Sequence, residues 1–116
     1  MYSDLDEARV RHDLLRQIVE RHGALAGGAA TDFRALRRVL EHCRVAAAAV
    51  EDRYSRDKLR LVEDFAAELF SRGESRGAFL RQRILEALEL FRSRLYSLEM
   101  LRRSSARNDR AASYPA

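Results

Sequence analysis

Four side chains of this 116-residue sequence offer nitrogen or sulfur to a transition metal: His12, His22, His42 and Cys43. A structural zinc site or a di-iron bundle needs such ligands at set spacings, as in Cys-x-x-Cys or Glu-x-x-His. Neither pair occurs, and His42 and Cys43 are neighbours, so on a helix they point in different directions. The expectation is no metal and no cofactor. Cys43 is the only cysteine, which excludes an intramolecular disulfide and a stapled secreted scaffold. A reactive thiolate wants electropositive, partly exposed surroundings. Cys43 falls instead among apolar residues at helical spacing, so it is expected buried and unreactive. A lone histidine beside an apolar stripe, as His12 is, is expected at a partly exposed boundary. Gly27-Gly28 precedes a helical pattern without a strand before it, so no phosphate-cradling loop is read there.

One spacing does match a known chemistry. Helical ribonucleases of the HEPN type carry Arg, four to six residues, then His, and Arg37–His42 and Arg16–His22 are similar to that pattern. Arginine is so frequent here that matches at this rate arise by chance. The chemistry also needs a further polar group to orient the imidazole. An HEPN-like helical RNase is therefore the third reading of function, and no enzyme activity is assigned.

The charge pattern carries more. Basic residues number 22 against 18 acidic, a net charge of +4, and of the basic ones only Lys58 is lysine. Arginine suits bidentate recognition of phosphate or carboxylate; the same bias follows from GC-rich, typically bacterial, coding. Over residues 92–116, six arginines against Glu99 and Asp109 leave +4. Arg102, Arg103, Arg107 and Arg110 are the candidates for contact with nucleic acid. The rival reading is a solvated helix face laced with ion pairs.

What positions these residues is helix. Gly23, Gly27 and Gly28 mark one break, Gly73 and Gly77 another, and the single proline, Pro115, lies at the end. In the first segment Leu14/Leu15 and Ile18/Val19 form a stripe, with Ser3 or Asp4 able to cap it. In the second, Thr31 or Asp32 can cap, and Phe33, Leu36, Leu40, Cys43, Ala47, Val50 and Tyr54 follow a 3-4 heptad seam. That frame then shifts to Lys58, Leu61, Phe65 and Leu69. Residues 31–71 fit one long helix or two helices broken near 52–58. The lack of Gly and Pro and an Asp52–Arg56 pair at i, i+4 favour continuity. From Gly77 a third helix carries Ile84, Leu88, Phe91, Leu95 and Leu98 on one stripe and fades near Arg103.

The fold expected is all-α, an antiparallel bundle of three long helices with coiled-coil seams. One domain spans 1–103, and 104–116 is expected to form a flexible tail. Three helices would leave the far half of the second helix with too few neighbours. Leu61, Phe65, Leu69 and Phe70 are then the expected interface, and a homodimer the expected way to cover it. The longest apolar run, Val45–Val50, is far short of the roughly twenty residues of a membrane span, and the acidic start Met1–Glu7 lacks a signal pattern. The expectation is a cytoplasmic protein without membrane contact. Its function is read as a helical protein–protein interaction module, such as a bacterial adaptor, chaperone or small regulator, that takes a second copy or an amphipathic partner helix. The alternative is a nucleic-acid-associated regulator using the arginine-rich end.

Overall fold

The computed structural model describes residues 3–24, 29–72 and 77–113, with side-chain surroundings for 3–21, 33–70 and 77–105. It is all-helical across them. Four helices follow one another: α1 (Asp4–Ala24), α2 (Ala29–Ala49), α3 (Arg53–Arg72) and α4 (Gly77–Ser113).

The count differs from the three helices expected, because residues 31–71 break at 50–52. Asp52 is the reason. It does not form the i, i+4 pair with Arg56 that continuity would use. Its carboxylate accepts from the Ser55 backbone N–H at 3.1 Å and the Ser55 hydroxyl at 2.9 Å, so it caps α3. Arg56 bends back to donate to the Val50 carbonyl at 3.2 Å. The break lets one stripe of the chain bury the other. Val39, Cys43, Ala46 and Val50 of α2 are buried, as are Ser55, Leu59, Val62, Ala66 and Leu69 of α3. The 4-3-4 seam of α2 keeps Cys43 and Val50 of the expected frame but takes Val39 and Ala46 in place of their neighbours Leu40 and Ala47. Phe33, at the start of that frame, is 62% exposed.

Each helix touches two neighbours: α1 with α2, α2 with α3, α3 with α4, and α4 with α1. Cross-links fix the directions. Arg11 of α1 meets His42 of α2 at 2.8 Å, Arg9 of α1 pairs with Glu99 of α4, and Asp52 at the start of α3 reaches Arg94 of α4. This is an up-down-up-down four-helix bundle. Leu5, Ala8, His12, Leu15 and Val19 supply α1's 3-4 seam, and Leu80, Ile84, Leu88, Phe91 and Leu95 supply α4's. The α4 seam falls on the stripe expected for it.

Helix α1 starts on a reciprocal cap. Ser3 N–H donates to Asp6 Oδ2 at 2.9 Å, and Asp6 N–H donates to Ser3 Oγ at 3.2 Å. Helix α2 begins at Ala29, ahead of the expected Thr31–Asp32 cap. Helix α4 departs most from expectation: it runs to Ser113, through residues expected to form the tail. At 37 residues it is about 55 Å long, against about 30 Å for the others. It therefore outruns the bundle, whose extents are 67 × 23 × 20 Å.

Candidate protein interface on the α3–α4 hairpin

The metal and acid–base candidates come out as follows. His12 is not at a boundary: it is 3% exposed and tilts against the Phe91 ring, with centroids 6.2 Å apart. Its place at an interior seam position puts it there. Its Nδ1 meets the carboxylate of Asp13 at 3.0 Å, although that side chain is largely in solvent. His42 is half-buried and takes Arg11 as its partner, not Arg37, whose guanidinium lies over the Phe33 ring at 6.0 Å. Burial, then the charge of Arg11, push the His42 imidazole below its ordinary range, so it stays neutral and accepts from Arg11. Arg16 pairs with Glu20 at 2.9 Å, and the His22 side chain lies outside the described residues. Among the described residues no three His, Cys, Asp or Glu side chains gather to hold a metal ion. Cys43 is fully buried, and desolvation, helped by Glu63, holds its thiol far above the ordinary range.

The expected interface residues separate. Leu69 is 4% exposed and belongs to the monomer's own core, so it is not part of any surface. Phe65 and Phe70 are partly buried against that core, and Leu61 is 38% exposed. The fold-back at 50–52 provides the cover that a three-helix arrangement lacks. Exposed apolar surface is nevertheless unevenly spread. Nine large hydrophobic residues are exposed among those described, and seven lie on α3 and α4: Tyr54, Leu61, Phe79, Leu90, Tyr96, Met100 and Leu101. Aromatic rings can hold a cation against their faces. Lys58 sits 5.0 Å from the Tyr54 centroid, and Arg83 lies 5.7 Å from that of Phe79. Aliphatic side chains have no such means. Leu61, Leu90, Met100 and Leu101 are therefore the residues whose exposure calls for a partner.

The upper end of the hairpin is the best-organised part. Arg94 grips Asp52 with both arms of its fork, Nε to Oδ2 and Nη2 to Oδ1, each at 3.0 Å. These bonds and the Ser55 cap hold the Asp52 carboxyl down at about 2. The α2–α3 turn is thus fixed to α4. Above it a groove of about 530 Å³ opens, floored by Val50, Leu98 and Leu101 and rimmed by Glu51, Arg102 and Ser105. Glu99, next to Leu98 on α4, binds Arg9 of α1 and, at 3.1 Å, Arg103 of α4. Beyond Glu99, Met100 to Ser105 are all exposed. Arg102 and Arg103 are thus on the projecting part of α4, while the side chains of Arg107 and Arg110 lie outside the described residues. The sequence showed the clustering of arginine at this end but not the groove, because Val50 reaches it only through the turn.

No family model matches the chain, and neither the curated proteins nor the solved structures searched contain a match to it. No helix among the described residues is long and apolar enough to cross a membrane.

Proposed function

We propose that this protein is a helical protein–protein interaction module, and that the outer surface of its α3–α4 hairpin takes a second copy of the chain. The observation that carries this reading is the exposure of the aliphatic side chains Leu61 and Leu90, one on each helix of a hairpin in an otherwise self-sufficient bundle. A four-helix monomer whose seams are filled has no structural need for them. Burying such residues across a two-fold axis gives each copy the same gain, which is how most homodimers arise. Phe65, partly buried beside Leu61 on α3, extends the patch. An adaptor or small regulator in a cytoplasmic, bacterial setting is the role this architecture suits, by analogy of fold alone.

Light scattering tests the reading. Wild-type protein should exceed monomer mass at high micromolar concentration, and Leu61→Glu should return it to monomer while leaving the melt of the dilute protein nearly unchanged.

A second reading, a nucleic-acid-associated regulator, is favoured by one observation: residues 92–116 carry a net +4, the whole formal charge of the chain. Retardation of duplex DNA that weakens steeply with salt would support it, and no retardation at low salt would remove it.

A further inference from the structure

The top of the molecule differs from the patch around Leu61. Helix α1 is tied to α4 by the Arg9–Glu99 pair, and α3 begins at Arg53, with the Tyr54 ring against Arg94. Past Glu99, α4 continues from Met100 to Ser113, about 20 Å of helix at 1.5 Å per residue. At its base lies the groove floored by Val50, Leu98 and Leu101. We propose that this groove and the projecting part of α4 receive an amphipathic helix of another protein, apolar on its inner face and acidic along the flank that meets α4. The proposal rests on the interaction-module reading and deepens it by naming the chemistry of a second partner.

Two properties of the site select this occupant together. The floor is apolar and open, with Leu101 60% exposed, so the partner must bring an apolar stripe. The α4 side is basic: Arg102 lines the groove, and Arg102 and Arg103 are both exposed. Residues 92–116 sum to +4, and the other basic stretch, +3 over residues 72–83, lies toward the opposite end of α4. A partner with carboxylates along that flank gains charge-assisted bonds to arginine. Nucleic acid matches the arginines but leaves Met100 and Leu101 in water. A neutral apolar helix matches the floor and leaves the arginines unanswered. Glu51 and Asp52, which line the groove from the α2–α3 turn, disfavour acid on that side and so orient the bound helix.

The experiment is a fluorescence-anisotropy titration of the full chain with a labelled helical peptide of about sixteen residues. The peptide carries leucines at 3-4 spacing and glutamates on one flank; a control of the same composition has its leucines scattered around the helix. The striped peptide should bind at least about tenfold more tightly than the control. Leu101→Asp should weaken it about tenfold or more, and the Arg102→Glu, Arg103→Glu double variant should do the same and flatten its salt dependence. Both substitutions are at exposed positions, and circular dichroism melts would confirm that the bundle persists. Leu61→Glu should leave the titration unchanged whether or not it alters the solution mass, so failure here and failure of self-association are separate results. Equal binding of the two peptides, or binding of neither, would overturn the proposal. So would duplex DNA that displaces the striped peptide at physiological salt, since the surface would then be a polyanion site.

Discussion

Helix α4 is two helices in one. From Gly77 to Glu99 it is a bundle element: Leu80, Ile84, Leu88, Phe91 and Leu95 are all buried, and its polar flank is tied to α1 and to the α2–α3 turn through Glu99 and Arg94. From Met100 onward it continues with the same backbone, and Met100 to Ser105 are exposed. The first half is stabilised by burial and needs nothing outside the chain. The second half is apolar at its base and basic along its length, and burial within the chain does not account for it. Stability and the proposed partner contacts thus belong to successive stretches of one helix, and substitutions should separate them.

The largest effect should come from the inner half. Phe91 is fully buried against His12, so Phe91→Ala should lower unfolding free energy by about 3–5 kcal/mol, measured by urea denaturation. Next is the junction between the halves. Asp52→Ala removes the α3 cap and strands Arg94, which should cost about 2 kcal/mol in the same measurement. If it costs nothing measurable, the account of why residues 31–71 break is wrong.

A smaller, pH-dependent effect isolates the charge of that pair. The Asp52 carboxyl is held at about 2 in the fold, below the 3.8 of an unperturbed aspartate. Because the folded value is the lower one, its contribution is complete above about pH 4 and is lost as pH falls through 2. Asp52→Asn keeps a capping side chain but not the charge. The stability gap between wild type and this variant should be flat above pH 4 and should close between pH 4 and 2. The smallest stability effect belongs to the outer half: Leu101→Asp should change unfolding free energy by no more than about 0.5 kcal/mol, since its site is exposed. A large destabilisation there would make Leu101 a structural residue and remove the distinction between the halves.

What the sequence made legible follows the same division. Helical spacing placed the α4 stripe at Ile84, Leu88, Phe91, Leu95 and Leu98, because a bulky, unambiguous period leaves one solution. On α2 it placed Cys43 and Val50 on the buried seam but took Leu40 and Ala47 over Val39 and Ala46, because adjacent apolar residues leave the choice of face open in a hydrophobic pattern. The break at 50–52 carries no Gly or Pro, and Asp52 has two local uses, an i, i+4 pair or a cap. Arg94, 42 residues away, decides between them, and that contact is invisible to local reading. His12 was misjudged because a histidine at a seam position looks the same in sequence whether or not an aromatic ring awaits it. Of the candidate interface, Leu61 is exposed and Phe65 and Phe70 are partly buried against the core. Leu69 was not available, since the fold-back buries it.

The central claim is that the exposed aliphatic surface of the α3–α4 hairpin joins copies of this chain. Multi-angle light scattering from low to high micromolar concentration tests it most directly, on wild type and Leu61→Glu side by side. The account predicts a wild-type mass that climbs from the 13.4 kDa monomer toward twice that value, and a variant that stays at 13.4 kDa throughout. Two proteins that both remain at 13.4 kDa over the whole range would contradict it.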